Sequence, residues 1–272
     1  MKIRVAPATK RFLESYTKRL PHAVLLTGSV GVGLNTLAGE LSSNGRLLRR
    51  ISPESRSSAL PSISAETIRE LYIDTRSVLE GKNFVIIDDA DAMNHVAQNA
   101  LLKLLEEPND SICFILTSHI PDKLLPTIRS RTQIFSVPPI DHLESMRLLK
   151  SLGVTTGIDE QRLLYIAQGL PAELTRLTQS QSDFKSLSER VSQARQIVEG
   201  TPYQRLVTIA STSLDRQQAL QLIEMVILLL KRSIMQRPER MIVMRIDSML
   251  AAAAAIRSNG NVKLHLIRGV LQ

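Results

Sequence analysis

A single cysteine, Cys113, leaves the chain without the means for a disulfide framework or a cysteine-rich zinc site, and it fits a reducing compartment. Tryptophan is absent and aromatic residues make up 3% of the sequence. That is too little ring surface for a protein that binds mainly by stacking bases. No apolar run approaches the roughly 20 residues needed to span a bilayer. The longest candidates, Val226 to Leu230 and Leu250 to Ile256, are short and flanked by Arg or Lys. The opening stretch MKIRVAPATKRF has no apolar core of the kind a secretory signal needs. By elimination the expected location is the cytoplasm, with no membrane partner and no bound metal.

What the 272 residues do contain is 43% hydrophobic side chains, enough for ordinary globular cores, and a net charge of +8. The charge is unevenly placed. Residues 1–60 carry 10 basic and 3 acidic side chains, residues 61–141 carry 7 and 12, and residues 201–272 carry 10 and 4. A basic chain invites a nucleic-acid partner, and solvated surface explains the same charge equally well.

The first half reads as α/β. Phe12, Leu13, Tyr16 and Leu20 form one helical stripe, stopped by Pro21. Short apolar runs follow at Ala23–Thr27, Phe84–Ile87, Ile112–Thr117 and Gln133–Val137, with the length of buried parallel strands. Between them, Met93, Val96, Ala97, Ala100, Leu101 and Leu104 mark a helix that Pro108 should end. Alternation of this kind predicts a parallel sheet with helices on both faces. After Pro138-Pro139 only helices are expected: 142–152, 159–168 and 171–177, then a polar linker over Thr178–Ser186, then an all-helical segment from about 187 to 272. Ser52–Ser64 reads as an exposed loop.

Residues 23–36, AVLLTGSVGVGLNT, run from an apolar strand into a Gly-rich turn and a helix. That is the setting of a phosphate-binding loop, with Gly28, Gly31 and Gly33 near the expected spacing. The position that would carry the phosphate-neutralising Lys is Leu34, and the position of the Mg²⁺-binding hydroxyl is Asn35. Thr36 comes one residue late, rotated by about 100° around the helix. The loop therefore reads as degenerate, or as a Gly-rich turn that never held nucleotide. FVIIDDAD resembles a Walker-B strand, with Asp88 at the metal position and Asp89 where a Glu usually orients water. Asp89 falls short of that reach by about 1.3 Å, enough to matter catalytically. The same carboxylates also suit an acidic cap on the helix that follows.

NALLKLLEEP (Asn99–Pro108), FILTS and LPTIRSR (Leu125–Arg131), in this order after PHAVLLTG and IDDAD, resemble clamp-loader subunits of the AAA+ superfamily. The resemblance is specific from about Pro21 to Pro139. It continues weakly to IRSNGNVKLHLIRGVL (Ile256–Leu271). It implies a RecA-like AAA+ α/β domain at 1–140, a small helical lid at 141–180 and an all-α collar at 187–272 that assembles into a ring. ATP in such rings lies between subunits, completed by an Arg of a neighbour in a Ser-Arg-Cys motif. Here the motif reads Ser130-Arg131-Thr132, which makes Arg131 the candidate arginine finger acting in trans, against an ordinary surface Arg. Thr117 falls in the sensor-1 region. The lid motif Gly-x-x-Arg aligns with Gly169-Leu170-Pro171-Ala172, so its Arg is missing as well. With both cations gone, the resemblance implies a non-hydrolysing, stator-like subunit with weak or absent ATP binding. Its implied partners are gamma/tau-like ATPase subunits, a delta-like subunit, a sliding clamp and primer–template DNA. The family's four-Cys zinc module is replaced by the short, basic Arg46–Arg56 stretch. Arg69, Lys103 and Lys123 match DNA-channel positions of catalytic members, against the alternative of three solvated charges. The reading kept alongside is an active AAA+ ATPase with a variant P-loop.

Overall fold

The computed structural model describes residues 4–18, 21–54, 61–76, 80–107, 109–154, 158–236 and 239–271. It divides into two compact units, residues 1–178 and 179–272. In the first, five parallel strands form one sheet in the order β2-β3-β4-β1-β5. They are β1 (Ala23–Thr27), β2 (Arg46–Ile51), β3 (Asn83–Ile87), β4 (Ile112–Ser118) and β5 (Gln133–Ser136). β1, β3 and β4 are buried along their whole length. Because side chains alternate across a strand, this divides their residues between two cores. Leu25, Val85, Ile87, Phe114 and Leu116 face α3 (Ala65–Arg76) and α4 (His95–Glu106). Val24, Leu26, Phe84, Ile86 and Ile115 face α1 (Pro7–Lys18) and α2 (Leu34–Ser42). Helices therefore cover both faces, as the alternating pattern requires.

Three sequence expectations need correction. β2 was expected only as a basic stretch; it is an edge strand whose register slips between Leu47 and Arg49. Its RLLRRI pattern lacks strict alternation, and only an edge strand tolerates so many half-exposed cations. The acidic group at 88–91 does not cap α4. Asn94 does so, its side chain accepting from the Ala97 N–H at 2.8 Å. Most of the polar Thr178–Ser186 stretch is helical, because α8 (Pro171–Gln179) and α9 (Gln181–Glu199) meet at Ser180. Pro108 and residues 55–60 of the Ser52–Ser64 loop lie outside the described residues.

Two further helices, α6 (His142–Ser151) and α7 (Ile158–Ala167), precede α8 in the first unit. The second unit is α9 followed by α10 (Pro202–Ala210), α11 (Arg216–Gln236), α12 (Arg240–Arg257) and α13 (Val262–Leu271). Its core is aliphatic: Ile197, Leu222, Val226, Leu230, Met249, Ile256 and Leu266 are all buried. α12 and α13 approach closely at Ala252 and Gly269, where an added Cβ on the glycine would lie 3.1 Å from that of Ala252. Among the described residues no helix is long and apolar enough to cross a membrane.

Candidate functional site

The sheet order places β1 between β4 and β5, with β3 beyond β4, so the loops at their C-terminal ends converge. This is where open α/β sheets bind ligands. The loop after β1 has Gly31 and Gly33 in the left-handed region, with φ of 87° and 92°, which explains glycine there. Gly33 caps α2 with no side-chain hydrogen bond. Several positions expected to serve a nucleotide are nevertheless engaged within the chain. Leu34 is 2% exposed and belongs to the core with Val32, Leu37 and Val137. The carbonyl of Gly31 accepts from the Ala172 N–H, at the start of α8, at 3.0 Å. A Cβ on Gly31 would sit 3.3 Å from that of Glu173, so α8 packs directly on the loop.

Asp88 is buried and paired. Arg50, from β2, donates through Nε to Oδ2 at 2.6 Å and through Nη2 to Oδ1 at 3.1 Å. Ser52 Oγ donates to Oδ2 at 3.0 Å. The same Nη2 reaches the carbonyl of Asn35 at 3.1 Å. Both carboxylate oxygens are thus engaged by a bidentate guanidinium fork, the strongest geometry an Arg–carboxylate pair adopts. Asp88 is thus paired within the chain and Leu34 is buried in the core, so neither side chain is free to meet a metal ion or a phosphate. Asn35 Oδ1 accepts from Thr117 Oγ1 at 3.3 Å, and Thr117 Oγ1 accepts from the Asp89 N–H at 2.9 Å. Thr117 is therefore bonded both to the start of α2 and to the turn after β3.

Asp89 adopts φ 46°, and its Oδ1 makes no hydrogen bond. The nearest cation-forming group is His119, with Nε2 at 3.7 Å. His119 Nδ1 lies 2.8 Å from the Gly28 carbonyl, which can only accept, so Nδ1 carries the proton. Burial raises the Asp89 pKa; His119 opposes the rise, and the negative charges of Asp91 and Asp88 add to it. Ionised Asp89 is disfavoured in the folded chain. That destabilisation is present above the folded pKa and disappears as pH falls toward the ordinary carboxylate value. Asp89→Asn is therefore expected to raise the melting temperature at pH 7, with the gain shrinking toward pH 4. Thermal melts at the two pH values check this, and a variant less stable at pH 7 contradicts it.

Arg131 follows α5 (Pro126–Ser130) and precedes β5. Its Nη2 lies 3.1 Å from Oε1 of Glu106, at the end of α4. Gln98 on α4 is a site residue that sequence reading passed over. It is 3% exposed, and its Nε2 donates to the carbonyls of Met93 and Lys123 while its Oε1 accepts from the Leu125 N–H. A buried, fully paired glutamine thus ties α4 to the segment leading to Arg131. Only its place on the inward stripe of α4, among Ala97, Leu101 and Leu105, hinted at this. The three candidate DNA residues are all exposed. Arg69 lies on α3, 3.7 Å from Glu66 of the same helix, Lys103 in the last turn of α4, and Lys123 in the short 3₁₀ turn Pro121–Lys123. α3 and α4 pack against one another.

A sequence family described as DNA polymerase III, delta subunit, matches residues 44–141. The chain is 35% identical to the DNA polymerase III subunit delta' of Pseudomonas aeruginosa over 118 residues, covering 42% of this chain and 36% of that protein. It is 32% identical to a replication factor C small subunit of Methanococcus maripaludis over 163 residues, 56% of this chain and 51% of the other. It is 26% identical to the Escherichia coli DNA polymerase III subunit tau, over 76% of this chain and 34% of that one. The chain thus spans between about a third and a half of the length of these relatives. A gamma subunit-related protein of Thermotoga maritima shares the fold with a TM-score of 0.53 at 16% identity, over 96% of this chain and 97% of that one. A Holliday junction branch migration motor from the same organism matches with a TM-score of 0.50 at 19% identity, over 79% and 74%.

Proposed function

We propose that this chain, which sequence and fold support as a clamp-loader AAA+ protein of the delta-prime type, is a non-hydrolysing subunit that acts on a neighbour's nucleotide. The observation that carries the reading is the Arg50 fork on Asp88. A side-chain cation stands against the carboxylate that would otherwise hold Mg²⁺, and it is reinforced by Leu34 in the core and by Ala172 bonded to the loop. Charge neutralisation is most of what a protein contributes to phosphoryl transfer, and none of these residues offers it to a nucleotide of this chain's own.

Arg131 supplies the arginine finger in trans. Residues 1–140 form the AAA+ domain, 141–180 the lid and 187–272 the ring-forming collar. α12 suits the collar role because Met241, Val243, Met244 and Leu250 are exposed on it. The partners are gamma/tau-like ATPase subunits, a delta-like subunit and the sliding clamp. Arg69, Lys103 and Lys123 contact the backbone of primer–template DNA, giving affinity without sequence preference. Calorimetry of the isolated chain with Mg-ATP is expected to show no binding tighter than about 100 μM, which is about −5.5 kcal/mol. A micromolar site would instead favour an active ATPase with a variant loop.

A further inference from the structure

The two arginines of LPTIRSR are held differently. Arg129, on α5, donates from Nη1 to Oδ1 of Asp122 in the turn just before it, at 2.7 Å. Arg131 reaches back to α4. Its Nη2 lies 3.1 Å from Glu106 Oε1 on α4, and its Nη1 donates to the Thr127 carbonyl at 3.2 Å. Each terminal nitrogen is aimed at a partner within the subunit, and gripping a neighbour's phosphate bidentately requires the fork to turn so that two of its N–H groups face the phosphate side by side. The Arg131 and Glu106 side chains are 37% and 49% exposed. A pair this open is weak and readily exchanged, which suits a hold that can be released rather than a permanent structural bond.

We infer that Glu106 is a positioning residue that holds the Arg131 guanidinium on its own subunit, so that the neighbour's nucleotide must displace it; this rests on the arginine-finger reading above. Glu106 ends the helix that also carries Lys103, and residues three apart are neighbours on a helix surface. A duplex held at Lys103 therefore acts on the turn that holds the finger. Gln98, bonded to the carbonyl of Lys123 and the N–H of Leu125, keeps α4 and the finger's segment in one register.

The test uses the full chain assembled with its partner ATPase subunits. Steady-state ATPase is measured across ATP concentrations, with and without the sliding clamp and primed DNA. Glu106→Gln is expected to raise the DNA-free rate and lower the KM for ATP by about two- to fivefold, the range an exposed pair supports. The kcat with clamp and DNA should stay unchanged. Glu107→Gln removes the same charge one residue later and should match wild type. Arg131→Ala should lower the stimulated rate, and Glu106→Gln added to it should have no further effect. Misfolding cannot produce the gain in basal rate. A basal rate at or below wild type in Glu106→Gln, with Arg131→Ala impaired, overturns the hold and leaves the finger standing. Wild-type rates in Arg131→Ala remove the finger, and the hold with it.

Discussion

Leu34→Lys is expected to destabilise the first unit by about 2 to 4 kcal/mol, combining lost apolar burial with a charge placed in a core position. It should not create a micromolar Mg-ATP site. Restoring the residue that a working phosphate loop carries at this position looks like a repair on paper. In the fold, Leu34 has become part of the packing beneath the loop: it is 2% exposed, against Val32, Leu37, Ala38 and Val137. The start of α8 stands over the same place. Leu170 packs on this cluster, and Ala172 bonds the Gly31 carbonyl. A Lys at position 34 must either bury its ammonium or push α8 away. Chemical denaturation of the variant, with calorimetry against Mg-ATP, checks both halves. A variant that kept wild-type stability and bound ATP tightly would mean that the loop lacks only a charge.

Arg50→Ala is the second large effect. Removing one partner of a buried ion pair strands the other, and such losses run to about 3 to 5 kcal/mol. The Arg50 side chain is 37% exposed while that of Asp88 is 3% exposed, so solvent moderates the figure, and about 2 to 3 kcal/mol is expected. Ser52 alone then faces the Asp88 carboxylate. Adding Asp88→Asn should recover much of the loss, because an amide is far less costly to bury than an unpaired charge. The pair of variants forms a double-mutant cycle, read by urea denaturation. Independent, additive effects would reduce the fork to a surface contact. Mg-ATP binding should not appear in Arg50→Ala, since Leu34 and Ala172 are unchanged in it.

The linear order of residues carries its own information about which parts of this protein could be read early. β1, β3 and β4 are short apolar runs bounded by turn residues, and buried parallel strands need nothing else to be recognised. Helices such as α1, α2 and α4 follow from three- and four-residue apolar steps, because one buried stripe suffices to specify a helix. The missing charges at Leu34 and Ala172 are visible as letters. So is Arg131, once the motif around it is matched.

Other features depend on contacts between distant residues. β2 carries basic side chains on a sheet edge, and an edge strand leaves only a faint apolar pattern. Arg50 and Asp88 are 38 residues apart, so nothing in the local sequence announces that one neutralises the other. The basic C-terminal stretch is a further case. The charge of the whole chain suits a nucleic-acid partner or solvated surface equally, yet several cations of this stretch satisfy helix ends. Arg245 donates to the carbonyls of Ile197 and Val198 at the end of α9, and Arg205 to those of Gly200 and Val270. Arg216 donates to the Ile256 carbonyl, and Lys263 to that of Ala210. Burial, and then the nearby charge of Arg205, lower the Arg245 pKa. The last carbonyls of a helix lack intrahelical donors, and cations stabilise that end of the dipole. Composition, period and motif made most of the elements and the family likeness legible, and they show that positions 34 and 172, where the likeness leads one to expect cations, are Leu and Ala. Tertiary structure decided which cation each carboxylate and carbonyl received, because those partners are separated in sequence and meet only when the apolar faces have packed.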